Sequence, residues 1–156
     1  MRNKTPKILI LIGAPGSGKS TFAENYLRNE QNWVRVCRDD FRAMQFQGTK
    51  ADDRTEVVIT GAIEASIEAF LLKKSNVLID ATHCKMEYLN QYIKRFGHLA
   101  DIHFKLFDVP LAELQQRCAE RERQTGKHIP LAVLEKYTQQ LENLKNIFDF
   151  KPVYKK

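Results

Sequence analysis

Residues 13–20, GAPGSGKS, carry the types and spacing that most directly predict chemistry. Their pattern is GxxxxGKS, in which glycines let backbone N–H groups converge on the phosphates of a nucleotide. The lysine is placed to reach the outer phosphates, the serine hydroxyl to bind Mg²⁺, and the helix that follows adds the positive end of its dipole. The segment therefore predicts binding of ATP or GTP, with Mg²⁺, through the following residues: Gly13, Gly16, Ser17, Gly18, Lys19, Ser20 and Thr21.

A second group of charged residues, 38–42 (RDDFR), follows the apolar, β-branched residues 33–37 and begins a predicted short helix. Asp39 either caps that helix or takes a proton from an acceptor hydroxyl, as phosphoryl transfer requires of a positioned base. Arg42 lies three residues later, so it projects to the same side and is placed to bind a phosphate of the acceptor. Arg38 and Asp40 point elsewhere on the helix and are predicted to form surface pairs.

Asp80 ends another apolar run, residues 76–80, which predicts a strand beside the phosphate-binding loop. A carboxylate at this place holds Mg²⁺ in many nucleotide sites and would also face the bound substrate. The alternative is a plain turn residue at the strand end. His83 is either a loop residue or part of the acceptor site, and no second histidine at ligand spacing supports a metal role.

Arg117 and Arg121 are four residues apart, so they share one face of a predicted helix. Turned toward a triphosphate, they would neutralise charge on the transferring group and close over it as a lid. Turned toward water, they would pair with Glu113 and Glu120. The position of the helix after the last predicted strand favours a lid, over about residues 111–130.

These residues need a scaffold, and strand-like runs alternate with helical patterns along the chain. Apolar strands separated by helices predict an α/β fold with a parallel sheet of about four strands and helices on both faces, as in P-loop NTPases and kinases. Ligands then bind at the carboxyl ends of the strands, where all three charged groups lie. The predicted strands are 7–12, 33–37, 76–80 and 101–107, and the predicted helices are 18–29, 52–73, 86–96, 111–123 and 131–147.

The composition limits what else the chain contains. Its 156 residues with 43% hydrophobic side chains predict one domain, 1–156, with no membrane span. A net charge of +6 favours a polyanionic partner. The three isolated cysteines predict neither a disulfide framework nor a zinc site, and a cytoplasmic location follows from that. The tail from Phe148 to Lys156 has no predicted element.

Taken in order, GAPGSGKST, RDDFR, VLIDAT, FDVP, an arginine-bearing helix and HIP resemble the kinase module of the polynucleotide 5′-hydroxyl kinases, particularly the phage type. The resemblance spans about Ile8 to Leu144. It implies a P-loop kinase that transfers the γ-phosphate of ATP to the 5′-OH end of RNA or DNA during nucleic-acid repair. The implied roles are phosphate and Mg²⁺ binding by Lys19 and Ser20, general base for Asp39, acceptor phosphate binding for Arg42, the strand-end aspartate for Asp80, and lid arginines for Arg117 and Arg121.

Two departures from the phage pattern bear on these expectations. The chain ends where phage-type enzymes continue into a 3′-phosphatase domain, so we expect no phosphatase activity. The residues after Asp80 also differ, which leaves Thr82 and His83 without an assigned role. Two other functions stay open: a kinase of a small metabolite or nucleoside, and a switch that hydrolyses the nucleotide without transfer. Self-association is also left open.

Overall fold

The structure is a computed structural model that describes residues 5–44 and 52–148. Strands and helices alternate along this part of the chain, and each predicted element is present with ends that differ by at most two residues. The predicted tail lies outside the described residues, except for Phe148. The strands are β1 (Lys7–Gly13), β2 (Trp33–Cys37), β3 (Asn76–Asp80) and β4 (Asp101–Phe107), and the helices are α1 (Lys19–Asn29), α2 (Arg38–Ala43), α3 (Asp53–Leu72), α4 (Met86–Phe96), α5 (Leu111–Thr125) and α6 (Leu131–Ile147).

The four strands form one parallel sheet in the order β2-β3-β1-β4, which confirms the predicted fold class. Strand β1 lies inside the sheet, with Ile10 opposite Ile79 of β3, and β3 in turn pairs Asp80 with Cys37 of β2. The carboxyl ends of these three strands therefore lie side by side. The loops that follow them contain the phosphate-binding glycines, Asp80 and the start of α2.

Strand β1 is apolar on both faces because helices cover the sheet on both sides. Ile8, Ile10 and Ile12 pack against α3, α4 and α6, whereas Leu9 and Leu11 pack against α1. All five side chains have no exposed area. Burial of each contributes about 1.5–3 kcal/mol, so the strand that carries the phosphate-binding loop is the most firmly held element of the sheet.

Helix α3 buries one apolar face, and an apolar residue in its first two turns lies outside that face. Val57 is 72% exposed. It precedes the first buried isoleucine of the helix by two residues, which is roughly 200° around the helix axis. The Asp52 side chain caps the helix by accepting a hydrogen bond of 2.8 Å from the backbone N–H of Thr55. The buried face consists of Ile59, Ile63, Ile67 and Leu71.

Two predicted absences concern the described residues. Over 5–44 and 52–148, none of the helices has the length and hydropathy needed to cross a bilayer. Cys37, Cys84 and Cys118 are all buried as free thiols, in agreement with the predicted lack of a disulfide framework.

Candidate active site

The loop between β1 and α1 owes its shape to glycines in a conformation that other residues avoid. Gly16 and Gly18 have φ angles of 80° and 93°, in the left-handed region. Between them, the Ser17 N–H donates to the carbonyl oxygen of Ala14 at 3.2 Å, which closes the turn. Helix α1 then begins at Lys19. Free N–H groups at this helix start form an anion-binding concavity.

Lys19 is the central cation of the loop, and only 8% of it is exposed. Its ammonium donates to the carbonyl oxygens of Gly13 and Ala14, both at 2.8 Å, and to Ser17 Oγ at 3.3 Å. Burial lowers the pKa of Lys19, and the carboxylates of Asp80 and Asp39 act in the opposite direction. Both acidic groups predicted for the site therefore act electrostatically on this lysine.

Helix α2 starts directly after β2, and it brings Asp39 and Arg42 together as the three-residue spacing predicts. Arg42 donates to Asp39 Oδ1 at 2.9 Å and to both oxygens of Glu56, at 2.7 and 3.1 Å. The Asp39 side chain does not cap α2, whose N-cap residue is Cys37 and lacks a side-chain cap. The capping interpretation of Asp39 is therefore wrong. The carboxylate remains 65% exposed toward the cavity described below.

Glu56 on α3 is a part of this site that the sequence did not reveal. Its Oε2 also accepts from Arg38 at 2.8 Å, and Arg38 donates to Thr60 Oγ1 at 2.8 Å. The hydrogen bonds from Arg42 hold the pKa of Glu56 below its usual range, so the carboxylate stays charged between the two guanidinium groups. Arg38 thus forms the expected ion pair, but it is half-buried in the site and not a surface residue.

Asp80 ends β3 as predicted and is buried, with 3% exposed. Its Oδ2 accepts from Arg35 Nε at 3.0 Å and from Arg35 Nη2 at 2.7 Å. Arg35 lies on the neighbouring strand β2, and its other amino group is 3.5 Å from the exposed carboxylate of Asp40. Arg35 was not predicted as a site residue. The available signal was its charge, because it is the one ionisable side chain besides Cys37 in an otherwise apolar strand.

Helix α5 lies over the phosphate-binding loop, in the place predicted for a lid. Arg117 donates to the carbonyl oxygen of Gly16 at 3.3 Å and also pairs with Glu113, so both predicted orientations are partly present. Arg121 forms no salt bridge with another described residue, and its charge contributes to the lowered pKa of Lys19. After α5, Lys127 approaches Asp39 to 3.9 Å, a contact that the sequence did not predict.

These groups surround one cavity of about 650 Å³ at the carboxyl ends of the strands. Gly13 and Ser17 are not among its lining residues. Ser17 is buried, and Gly13 packs closely against it, since a Cβ atom at Gly13 would lie 2.6 Å from Ser17 Oγ. The other predicted site residues all line the cavity: Gly16, Gly18, Lys19, Ser20, Thr21, Asp39, Arg42, Asp80, Arg117 and Arg121.

His83 is buried, and its Nδ1 donates to the carbonyl oxygen of Leu11 at 3.0 Å. Its ring makes an edge contact with Tyr92, with centroids 5.3 Å apart. Burial lowers the pKa of His83 to about 4, so the ring is neutral at pH 7. It connects the β3–α4 loop to β1.

Several oxygen-bearing side chains line the cavity, and they include the exposed hydroxyl of Ser20 and the buried carboxylate of Asp80. In the described part of the chain, no group of three or more acidic, histidine or cysteine side chains is arranged to hold a metal by itself. Mg²⁺ in phosphate-transfer sites is held by one or two protein oxygens together with phosphates and water. The donor set therefore fits a magnesium ion bound jointly with a nucleotide.

Solved structures confirm the resemblance inferred from the motifs. One chain in the structure of the Pnkp1/Rnl/Hen1 RNA repair complex is 50% identical, with a TM-score of 0.90, and the match covers 96% of this chain and 48% of that one. In a second structure of the complex the identity is 45% and the TM-score 0.76, over 94% of this chain and 44% of that one. The chain thus spans about half the length of these proteins.

A curated protein with a different description is also similar to this chain. Transcription factor bHLH140 of Arabidopsis thaliana is 28% identical over 120 residues, which are 76% of this chain and 12% of that protein. The family model described as an AAA domain matches residues 8–144, from β1 to α6. With the loop, the parallel sheet and the cavity in agreement, the chain belongs to the AAA domain family of P-loop nucleotide-binding proteins.

Proposed function

We propose that this chain is the kinase domain of an ATP-dependent polynucleotide 5′-hydroxyl kinase that acts on RNA or DNA ends during repair. The observation that carries the proposal is the shared cavity, onto which the Lys19 loop and the Asp39–Arg42 pair both open. A nucleotide switch needs the loop alone, whereas a carboxylate and a guanidinium opposite the loop suit a phosphate-bearing acceptor. The RNA repair complexes that the chain resembles agree with this choice of acceptor.

The loop residues provide the donor half of the reaction. Backbone N–H groups at the start of α1 bind the phosphates, and the Lys19 ammonium moves from the loop carbonyls to the β- and γ-phosphates. Ser20 and Asp80 would hold a magnesium ion, which would neutralise charge on the phosphates. The salt bridge from Arg35 fixes the Asp80 carboxylate through Oδ2.

The acceptor half rests on α2. Arg42 binds the phosphate on the 3′ side of the terminal nucleotide, and Glu56 holds its guanidinium in place. Asp39 accepts the proton of the 5′-OH as that oxygen forms its bond to the γ-phosphorus. The bond from the γ-phosphorus to the β,γ-bridging oxygen breaks, and ADP leaves. Arg117 and Arg121 stabilise charge on the transferring phosphoryl group from the lid, which we place over residues 111–130.

A transfer assay tests this proposal. The purified chain is incubated with γ-labelled ATP, Mg²⁺ and one of four acceptors: 5′-OH RNA, 5′-OH DNA, a nucleoside 3′-monophosphate, or a panel of sugars and nucleosides. Label on the 5′ end of the oligonucleotides supports the proposal. Transfer to a sugar or nucleoside alone, or ATP hydrolysis without transfer to any acceptor, would overturn it.

The buried free thiols suit a reducing compartment such as the cytoplasm.

A further inference from the structure

A second cavity, of about 230 Å³, lies beside the nucleotide cavity between α3, the β3–α4 loop, α4 and α6. The two cavities share five residues in their linings, so they adjoin at these residues: Arg38, Arg42, Ala81, Thr82 and Tyr137. We refer to the second cavity as the groove. It adjoins the nucleotide cavity at Arg42, which lines both, and its other lining residues include side chains of α4 and α6.

The lining of the groove is aromatic and polar. Three tyrosines contribute to it, one of which, Tyr88 on α4, is 43% exposed. Carboxamides of Gln91 and Gln140 add hydrogen-bond donors and acceptors at two further points. Flat rings that bases stack on, combined with adaptable polar groups, are typical of sites for single-stranded nucleic acid that lack sequence preference.

Two lysines of the groove have no salt-bridge partner within the described part of the chain. Glu56 is engaged by Arg38 and Arg42, and the other acidic residue, Glu64, lies 3.3 Å from Arg95. Lys85 and Lys136 also line the groove, and both are exposed. Neither lysine forms a salt bridge with another residue in the described ranges. Lys85 is the N-cap residue of α4, but its side chain does not cap the helix.

We propose that the groove binds the acceptor strand beyond its terminal nucleotide, with Lys85 and Lys136 contacting backbone phosphates and Tyr88 stacking on a base. The inference rests on the proposed kinase function. Arg42 would bind the first phosphate at the junction of the two cavities, and the strand would leave through the groove past α4 and α6. A nucleoside 3′-monophosphate would end at Arg42 and would not reach Lys85, Lys136 or Tyr88.

The test compares a long and a short acceptor in a charge-reduced variant. Lys85→Ala/Lys136→Ala removes both groove cations, and Lys73→Ala/Lys94→Ala removes two exposed lysines that do not line the groove. We measure kcat/KM for a 5′-OH decanucleotide and for a nucleoside 3′-monophosphate at 50 and 200 mM salt. Both lysine pairs lie on the surface, so neither double variant is expected to unfold.

The groove variant should lose kcat/KM for the decanucleotide and retain that for the monophosphate within about twofold, as the control does for both acceptors. The variant makes two fewer phosphate contacts, so its kcat/KM for the decanucleotide should depend less on salt. The factor by which this kcat/KM falls between 50 and 200 mM salt should be about sevenfold smaller than in the wild type. Tyr88→Ala should lower kcat/KM for the decanucleotide about fivefold or more without changing the salt dependence. Equal losses for both acceptors, or groove and control variants that behave alike, would overturn the proposal.

Failure of the kinase function itself gives a separate result. If the wild type transfers phosphate to neither acceptor, the proposed function is wrong. In that case, binding of a fluorescently labelled decanucleotide tests whether the groove binds nucleic acid. Weaker binding by the Lys85→Ala/Lys136→Ala variant, relative to the Lys73→Ala/Lys94→Ala control, supports a nucleic-acid groove. Equal binding by the two variants rejects it.

Discussion

Replacement of Asp39 by asparagine should abolish phosphoryl transfer and leave nucleotide binding almost unchanged. The carboxylate is 65% exposed, accepts from Arg42 at 2.9 Å and lies 3.9 Å from Lys127. Asparagine has the same shape, and its amide oxygen can still accept from Arg42. An amide cannot take up the proton of the 5′-OH, however. General-base catalysis contributes roughly 10²- to 10⁴-fold to a rate, so kcat should fall by that factor.

The stability and the nucleotide affinity of this variant should hardly change. An exposed ion pair contributes about 0–1 kcal/mol, which is small beside the stability of the domain. Asp39 belongs to α2, across the cavity from the loop that binds the phosphates. We therefore expect the Kd for ATP to stay within about threefold, because the variant removes one solvent-exposed carboxylate charge, whose effect on Lys19 is screened by water and salt.

The assay is single-turnover transfer from γ-labelled ATP to a saturating 5′-OH oligonucleotide, together with calorimetric titration of ATP. The chain supplies its own control in Asp40→Asn, since Asp40 is similarly exposed, at 68%, and pairs with Arg35, but does not line the cavity. This variant should retain at least half of the wild-type rate. An Asp39→Asn rate within tenfold of the Asp40→Asn rate would refute the general-base assignment.

Three other predictions follow from the geometry. Arg42→Ala should raise the KM for a 5′-OH oligonucleotide roughly 10- to 100-fold and leave the Kd for ATP within about threefold, because a charge-assisted contact of about 1.5–3 kcal/mol is lost on the acceptor side only. Gly16→Ala should lower the free energy of unfolding by about 1–3 kcal/mol, since φ is 80° and the new Cβ atom would lie 2.8 Å from Cys118 Sγ. The control is Gly61→Ala, whose new Cβ atom would have no heavy atom of another element within 4 Å, and it should stabilise the chain by about 0.5–1 kcal/mol. His83, with its pKa lowered to about 4, should contribute stability above pH 6.5 that is lost as the pH falls toward 4. Between pH 7 and 5 that loss is about 2 kcal/mol, measured by urea unfolding.

Each of these predictions has an outcome that contradicts it. Equal weakening of acceptor and ATP in Arg42→Ala would place the guanidinium in the donor half. A Gly16→Ala chain as stable as Gly61→Ala would show that helix α5 and the loop adjust without cost. His83→Asn keeps a donor toward Leu11 and removes the titrating ring, so it should lose the pH-dependent 2 kcal/mol contribution. If its stability falls with pH as steeply as that of the wild type, another group is responsible.

The short-range features of the site were predictable from the sequence. The glycines between Gly13 and Ser20 predicted the conformation of the loop. Asp39 contacts Arg42 because three residues make about one helical turn. The strand and helix bounds followed from runs and periods of apolar residues. These features depend on neighbours within a few positions, so local composition was sufficient to predict them.

The partners of the charged groups were not predictable in the same way. Arg35 reaches Asp80 from a strand 45 residues away in the chain, and Arg117 reaches Gly16 across 101 residues. Glu56 was not recognised as a site residue, because the sequence of its helix indicates which residues are apolar. The sequence does not indicate which other element the polar face of the helix contacts. The same limit explains Val57, which fits an apolar pattern but lies on the exposed side of α3.

The sequence by itself therefore determined the nucleotide-binding loop and the α/β fold. Only the tertiary structure decided that Asp39, Asp80, Arg117 and Arg121 line one cavity, and that a second cavity lined by Lys85 and Lys136 adjoins it. The physical reason is that local conformation depends on backbone sterics and side-chain spacing. The meeting of distant side chains depends on strand order and register, which are settled by burial of the whole sheet.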